Sequence, residues 1–440
     1  MKIAVCSLGC SKNLVDTENM LGLLQEAGHV IVPDAADAQG VLVNTCGFIA
    51  DAAQEAVDTI LHYADLKKSG DIRVLVVAGC LVQRYGKDIM EEIPEVDALV
   101  GTGDYGRIVE VFSQVEQGGC PACIGDPGWL APEGGARVVS TPRHFAYIKV
   151  SEGCSNRCSY CLIPSLRGPQ TDRPMEAIVA EARRLAESGV VEAILVAQDT
   201  TAYGRALYGR PRLAELLRHV AAVEGLKWVR VLYTYPSLID DELIDVFAEN
   251  RKVLPYLDIP MQHGSDRILR AMRRRITRQG MIDVCAKLRR RVPRLVIRTS
   301  LIVGFPGETD RDFSDLLTFI DEVRPERAGV FVFSPEEGAD AATFPDQVPA
   351  ELAAERRGIA MQRLAAISRS FGESRIGAVE TVLVDGISTE SELLCTARSY
   401  AEAPDVDGVI YVGDATLRPG QFVDVRITDA ADYDLAAEPV

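Results

Sequence analysis

The sequence predicts an α/β chain in three parts: an N-terminal parallel sheet, a central partial (β/α)6 barrel and a C-terminal small antiparallel β-barrel. Short apolar runs alternate with amphipathic stretches over residues 1–117, which is typical of a parallel sheet covered by helices. A strand-then-helix pattern then repeats six times between about residues 143 and 370. The last part has short strands separated by Gly, Pro and Asp turns.

These patterns divide the chain into an α/β domain (1–117), a linker rich in Gly and Pro (118–142), a partial-barrel domain (143–371) and a small barrel (372–440). Strands are predicted at 2–6, 29–33, 40–44, 73–78 and 96–100, then at 145–150, 193–197, 228–233, 254–259, 296–303 and 329–334, and finally at 379–384, 393–397, 408–412 and 422–427. The first helix is predicted over 14–27, where Gly28 ends it.

Composition and charge limit the class of protein. The chain has no run of eighteen apolar residues and enters a strand directly, so we expect no signal peptide, no membrane span and a cytoplasmic location. Eleven cysteines in such a chain favour metal ligation over a disulfide framework. The net charge of −17 is concentrated at the ends, with −11 over residues 1–140 and −10 over 372–440. Acidic ends attract a basic partner and repel a phosphate backbone, although a surface that serves solubility alone has the same charge.

Three cysteines follow the first strand of the central part with the spacing C-x3-C-x2-C: Cys154, Cys158 and Cys161. Thiolates are soft ligands that suit iron–sulfur clusters. A saturated cubane cluster takes four protein ligands, so three cysteines leave one iron open for a substrate or cofactor. Three incidental loop cysteines are the alternative, but cysteines at ligand spacing are seldom packing residues.

A second set of cysteines shares a position in the N-terminal pattern. Cys10, Cys46 and Cys80 each follow a predicted strand, and the carboxyl ends of parallel strands meet at one edge of a sheet. We therefore predict a second three-cysteine cluster, against the alternative of three independent buried cysteines. Neighbouring glycines are expected to let the backbone approach this bulky centre. The linker pair Cys120 and Cys123 has no further ligand in the sequence and is left outside the predicted sites.

Loops at the mouth of the predicted central barrel also carry polar residues. Gln198 and Asp199 follow its second strand and are placed to bind a ribose or an amino group. Gly304 and Glu308 follow its fifth strand, where a glycine permits close approach and a carboxylate accepts hydrogen bonds. Turn formation and helix capping explain each residue singly. Together they predict a cofactor-binding floor, and no catalytic residue beyond the two cysteine sets is predicted.

The two cysteine sets and the three-part organisation resemble the radical S-adenosylmethionine (SAM) methylthiotransferases over the whole chain. The matching segments are 9–18, 44–49, 79–80, 154–161, 233–236, 304–308 and 398–408. Segments 11–16 and 398–408 resemble the branch that modifies a ribosomal protein, and the tRNA-modifying branch differs at both. The resemblance implies a flavodoxin-like N-terminal domain, a radical SAM barrel and a TRAM-like terminal barrel.

The resemblance also implies the chemistry. Two [4Fe-4S] clusters would each be held by three cysteines, and the cluster at Cys154, Cys158 and Cys161 would bind SAM and cleave it to a 5′-deoxyadenosyl radical. The other cluster would deliver methylated sulfur to the β-carbon of an aspartate in the twelfth protein of the small ribosomal subunit. The implied partners are this basic protein, an external electron donor and a sulfur donor.

Two other functions are compatible with parts of the sequence. A tRNA adenosine methylthiotransferase would use the same chemistry, but a terminal barrel with a charge of −10 is poorly suited to tRNA. We expect a protein, not a nucleic acid, as the direct substrate, since acidic residues attract a Lys/Arg-rich chain. A non-catalytic iron–sulfur electron carrier or redox sensor would need a fourth protein ligand on each cluster.

Overall fold

A computed structural model describes all 440 residues of the chain. Its strands are β1 Lys2–Ser7, β2 Val30–Ile31, β3 Gly40–Thr45, β4 Val74–Gly79, β5 Ala98–Val100, β6 Ala122–Cys123, β7 Phe145–Lys149, β8 Ser151–Glu152, β9 Thr171–Asp172, β10 Glu192–Val196, β11 Trp228–Val231, β12 Val253–Asp258, β13 Val296–Val303, β14 Arg327–Val332, β15 Val379–Ile387, β16 Cys395–Arg398, β17 Ile410–Val412, β18 Phe422–Ala430 and β19 Leu435–Pro439. Its helices are α1 Ser11–Glu26, α2 Ala50–Ser69, α3 Cys80–Glu92, α4 Ile108–Glu116, α5 Ile163–Arg167, α6 Met175–Glu187, α7 Arg205–Tyr208, α8 Leu213–Ala221, α9 Asp241–Glu249, α10 Asp266–Ala271, α11 Arg278–Arg291, α12 Asp310–Val323 and α13 Ala350–Glu373. No helix has both the length and the apolar character needed to cross a membrane.

The N-terminal sheet is parallel throughout, as predicted, with the strand order β2-β1-β3-β4-β5-β6. Helices α2 and α3 pack on one face and α1 and α4 on the other, so both faces of the sheet are buried. Strand β6 lies within the segment predicted to be only a linker, and it pairs with β5. It places Cys123 in the core and leaves Cys120 exposed, with no third ligand beside them.

The central sheet confirms the predicted partial barrel. Its six strands are parallel in the order β14-β13-β12-β11-β10-β7, and the outer helices bury a large apolar core against them. Side chains alternate between the two faces along each strand. On β7, for example, Ala146 and Ile148 face the outer helices while Phe145 and Tyr147 face the concave side. The long helix α13 packs beside β14 and leads to the terminal barrel.

The C-terminal strands close into a five-stranded barrel in the order β15-β16-β17-β19-β18. The predicted antiparallel pairing holds for four neighbours, but β17 and β19 pair in parallel. Strand β19 was missing from the predicted set. It completes the barrel and removes the open edges that four strands would leave.

Residues 399–407 of the terminal barrel lie on the concave face of the central sheet. Ala401 and Ala403 join a core with the inward-facing tyrosines of β7 and β12. The hydroxyl of Tyr256 donates to Asp407 Oδ2 over 2.6 Å. The segment therefore fills one side of the partial barrel and fixes the terminal barrel against it.

Candidate metal centres

The first set of cysteines lies at the carboxyl edge of the N-terminal sheet. Cys10 follows β1 and precedes α1, Cys46 follows β3, and Cys80 is the first residue after β4. Because β1, β3 and β4 are neighbours, the three thiols come together; burial and, to a lesser extent, the charge of Cys10 raise the pKa of Cys46 and Cys80. Cys10 is exposed, Cys46 is partly exposed and Cys80 is buried, so the set opens on one side.

Glycines bring the three cysteine loops into contact with one another. A Cβ on Gly9 would lie 2.7 Å from the Cβ of Cys46, and one on Gly79 would lie 2.4 Å from the carbonyl oxygen of Thr45. A Cβ on Gly47 would lie 2.7 Å from the Cα of Leu81. These glycines were predicted to permit close approach to an inorganic centre. In the structure, they let the cysteine loops pack closely against one another, Gly47 and Gly79 against backbone and Gly9 against the Cys46 side chain.

The second set lies in the loop between β8 and α5, at the mouth of the partial barrel. The N–H of Cys161 donates to the carbonyl of Cys158 over 3.2 Å, which closes a turn between these two cysteines. Burial raises the pKa of Cys154 to about 11. Burial, with the neighbouring thiols, raises that of Cys161 to about 12. Arg274 Nη1 lies 3.9 Å from the Cys158 sulfur and supplies a positive charge.

The donor chemistry of both sets suits an iron–sulfur cluster. All eleven cysteines are free, and each set contains three thiols. Thiolates are soft ligands that suit iron–sulfur clusters, and three of them leave one iron of a cubane cluster without a protein ligand. The donor set of each group of cysteines therefore fits such a cluster.

Three family models match successive parts of the chain. They are the uncharacterised protein family UPF0004 over residues 2–101, the radical SAM superfamily over residues 148–320, and the TRAM domain over residues 376–440. These matches cover, in turn, the parallel sheet with the first cysteine set, the partial barrel with the second, and the closed barrel.

Relatives match the chain from end to end. Ribosomal protein uS12 methylthiotransferase RimO of Trichlorobacter lovleyi is 47% identical over 440 residues, which is 100% of this chain and 98% of the relative. The protein of the same name from Pelobacter propionicus is 48% identical over 438 residues, 99% of this chain and 97% of the relative.

The chain belongs to the ribosomal protein uS12 methylthiotransferase family.

Solved structures more distant than these RimO relatives share the fold. The cobalamin-bound radical SAM methyltransferase TsrM from Kitasatospora setae aligns with a TM-score of 0.56 at 13% identity, covering 86% of this chain and 76% of its own. The cobalamin-dependent radical SAM enzyme OxsB aligns with a TM-score of 0.52 at 11% identity, covering 83% of this chain and 57% of its own. At these identities the likeness concerns the fold alone.

In this member of the uS12 methylthiotransferase family, one buried arginine joins the two cysteine-bearing domains. Arg167 ends α5, six residues after Cys161, and its Nε donates to the Cys80 sulfur over 3.2 Å. Its Nη1 donates to Asp16 over 2.5 Å and its Nη2 to Asn13 over 2.8 Å. Arg167 was not among the residues predicted from the sequence, because nothing in the sequence shows that it is buried against the N-terminal domain.

Two further charges complete this buried network. Lys149 pairs with Asp16 and, over 2.6 Å, with Glu152. Burial would raise the pKa of Glu152, but Lys149 and Arg167 lower it to about 2. The carboxylate is therefore ionised at neutral pH, and the network locks the N-terminal domain onto the mouth of the barrel.

Gln198 lies beside this network with one polar atom free. Its Nε2 donates to Glu152 Oε1 over 2.8 Å, which fixes the orientation of the amide because a carboxylate only accepts. Its Oε1 is buried and has no hydrogen-bond donor. A buried acceptor without a donor destabilises the folded protein, and a ligand that donates a hydrogen bond to it removes that cost.

The other predicted cofactor residues hold the protein itself together. Asp199 accepts from Asn156 in the cysteine loop over 2.7 Å and caps the turn that follows it. Glu308 is buried and pairs with Arg356 over 2.8 Å, and the Gly304 N–H donates to its other oxygen over 3.0 Å. A Cβ on Gly304 would lie 2.5 Å from the Cβ of Ala353, so the close approach that this glycine permits is to α13. A direct contact of these residues with SAM stays a prediction.

Proposed function

We propose that this chain is a radical SAM methylthiotransferase that adds a methylthio group to the β-carbon of an aspartate in uS12, the twelfth protein of the small ribosomal subunit. The observation that carries the proposal is the pairing of two three-cysteine sets across one domain boundary, with Arg167 extending from the loop of one set to a cysteine of the other. The assignment of uS12 as the substrate is supported by two relatives that match the full length of the chain, both of which are named as uS12 methylthiotransferases.

The two clusters and SAM would supply the difficult chemistry when bound: reductive cleavage of SAM, removal of hydrogen from an unactivated carbon, and transfer of a methylated sulfur. The net change replaces one C–H bond of the aspartate with a C–S bond. The hydrogen leaves with the 5′-deoxyadenosyl part of one SAM, and the methyl group comes from a second. An electron donor and a sulfur donor, both external to the chain, belong to this proposal.

The chain's own residues divide the work between the two domains. Cys154, Cys158 and Cys161 would hold one [4Fe-4S] cluster, and the first cysteine set would hold the other. Burial raises the pKa of the Cys80 thiol to about 11, while the nearby Arg167 guanidinium favours its thiolate. The arginine would thus stabilise the form of Cys80 that binds iron.

Gln198 is the best supported of the four residues proposed to contact SAM, since its buried oxygen has no donor within the protein and its amide is fixed by Glu152. Asp199 would act by holding that loop through Asn156. Gly304 and Glu308 would shape the floor beneath the cofactor by fixing α13.

The terminal barrel supports a basic protein as the partner. Several of its carboxylates are used internally, because Glu402 and Asp407 pair with groups of the central domain. Others face solvent, namely Glu390, Glu392, Asp424, Asp429 and Glu438. This exposed acidic surface favours a Lys/Arg-rich protein over tRNA, whose binding depends on cationic side chains.

A product assay tests the proposal. Anaerobically reconstituted enzyme would be incubated with uS12, a reductant, sulfide and SAM that carries a deuterated methyl group. We expect mass spectrometry to place a deuterated methylthio group on one aspartate of uS12, together with formation of 5′-deoxyadenosine. Unmodified uS12 in a reaction that still forms 5′-deoxyadenosine would refute the substrate assignment.

A further inference from the structure

A buried lysine without a carboxylate partner lies between the two cysteine sets. Lys12 is in the first turn of α1, two residues after Cys10, and its side chain is only 8% exposed. Its Nζ lies 3.2 Å from the centre of the Tyr233 ring and forms no salt bridge. A buried ammonium is costly unless it is paired, and a cation–π contact offsets only part of that cost.

The ring beneath Lys12 is held in place. Tyr233 follows β11 at the mouth of the central barrel and has a φ of 61°, which is unfavourable for a residue with a side chain. Its N–H donates to Asp258 Oδ2 over 3.0 Å, and Asp258 is already paired with Arg298. Backbone strain of this kind persists where the surrounding structure enforces it, which is frequent at functional sites.

Most other cations at this cleft are already neutralised. Lys149 and Arg167 share the carboxylates of Asp16 and Glu152. Arg274 forms no salt bridge either, but its guanidinium lies beside the Cys158 sulfur and over Tyr235, on the side of the second cysteine set. Lys12 is therefore the cation next to the first set that has no carboxylate partner of its own.

We infer that Lys12 binds the side-chain carboxylate of the aspartate that is modified. This inference rests on the proposed function. The β-carbon of an aspartate is bonded directly to the carboxylate carbon, so an ion pair at Lys12 would hold the reacting carbon beside the cysteine set proposed to deliver sulfur. Burying either the substrate carboxylate or the Lys12 ammonium without a partner costs free energy, and an ion pair between them would offset both costs. Lys12 thereby makes the site selective for an acidic side chain.

The test compares two substrates and three variants of the reconstituted enzyme. The substrates are uS12 and uS12 in which the target aspartate is replaced by asparagine, which has nearly the same shape and no charge. The variants are Lys12→Met, Lys12→Arg and, as a matched control, Lys87→Met, which removes an exposed lysine from the same domain. Iron content and the absorption spectrum of each protein report whether both clusters have formed.

We expect the unaltered enzyme to modify the aspartate substrate with a kcat/KM at least about tenfold above that for the asparagine substrate, as for loss of one partner of a buried charge pair. Lys12→Met should bring the two values together, Lys12→Arg should keep the preference for aspartate, and Lys87→Met should behave as the unaltered enzyme does.

Two results would overturn the inference. One is an unaltered enzyme that modifies both substrates equally well, which needs no variant and so does not depend on how Lys12→Met folds. The other is a Lys12→Met enzyme with normal iron content that keeps the full preference for aspartate. Failure of the unaltered enzyme to modify uS12 at all would instead refute the proposed function.

Discussion

Individual cysteines differ in what their loss should do, because the two sets lie on different domains. Cys158 belongs to the set that matches the radical SAM motif, and Cys46 belongs to the set on the N-terminal sheet. We expect Cys158→Ala to abolish formation of 5′-deoxyadenosine. We expect Cys46→Ala to block methylthio transfer while some SAM cleavage remains. Chromatography of the nucleoside and mass spectrometry of uS12 measure both quantities, and methylthiolated uS12 from the Cys46 variant would disprove the second assignment.

Arg167 makes a prediction about stability that is independent of any cluster. Arg167→Met would leave the buried carboxylates of Asp16 and Glu152 with Lys149 as their remaining cation. Breaking a buried ion pair by removing one partner costs about 3–5 kcal/mol. We expect a fall of that size in the free energy of unfolding of the cluster-free protein, measured in urea. The control is Arg363→Met, which removes an exposed pair with Asp321 and should cost about 0–1 kcal/mol. Equal effects of the two substitutions would contradict the role assigned to Arg167.

The six cysteines were predicted as cluster ligands because each follows a strand or has ligand spacing, and their role as ligands stays a prediction. The residues around them could not be predicted. Arg167, Lys149 and Lys12 are charged residues that a sequence pattern places at the surface, and they are buried only because two domains pack together. Their importance depends on contacts between segments that are far apart in the sequence, such as Arg167 with Cys80 and Lys149 with Asp16.

At the level of elements, the segment 399–407 links the terminal barrel to the central sheet through a buried carboxylate. Burial would raise the pKa of Glu402, but the charges of Arg375 and Arg327 hold it well below its ordinary value. A depressed pKa in the folded state gives stability that is complete above the ordinary carboxyl pKa of about 4.5 and is lost as the pH falls through the lower value.

Glu402→Gln should therefore change how the free energy of unfolding depends on pH in the acidic range. We expect the variant to be less stable than the unaltered protein at pH 7, by about 3–5 kcal/mol, because Arg327 loses its carboxylate partner and Arg375 keeps only Glu380. The difference should shrink as the pH falls below about 4.5, since the unfolded chain then binds a proton that the ionised Glu402 of the folded protein does not, and this lowers the stability of the unaltered protein. Urea unfolding across this pH range measures it, with the exposed Glu438→Gln as the control. A difference that is independent of pH would contradict the assignment.

Elements with clear periodicity were predicted well, and those with weak or interrupted patterns were not. The first helix begins at Ser11, three residues before the predicted start, because its polar first turn is buried at the domain boundary, where Asn13 forms hydrogen bonds both within its own domain and with Arg167. Helix α3 begins at Cys80, directly after the end of β4, so no turn sequence marks its start. Helix α13 is long but weakly amphipathic, and β6 and β19 are too short or too rich in polar neighbours to predict.

At the scale of the whole molecule, the two ends of the chain and its centre differ in net charge. The central part carries +4, and the parts on either side carry −11 and −10. Some of this difference holds the domains together, as in the pairs of Asp16 with Arg167 and of Glu402 with Arg327. The remaining exposed acids of the terminal barrel are available to attract a basic partner.

Replacing both Glu390 and Glu392 with Gln should slow the association of uS12. Both residues are exposed, and long-range attraction between opposite charges speeds association and is screened by salt. We expect a lower association rate constant by surface plasmon resonance at low ionic strength, with the difference disappearing at high salt. The same double change at Glu91 and Glu92, exposed on the N-terminal domain, is the control. An equal loss in both double variants would mean that only net charge matters.

The most direct measurement is a competition between the two polymers that methylthiotransferases could modify. Reconstituted enzyme, SAM, reductant and sulfide would be given uS12 and bulk tRNA in the same anaerobic reaction, and both would be analysed by mass spectrometry. We predict a methylthio group on an aspartate of uS12 and unmodified tRNA. A methylthio group on tRNA with unmodified uS12 would preserve the radical chemistry and contradict the substrate, the role of the acidic barrel and the aspartate site at Lys12.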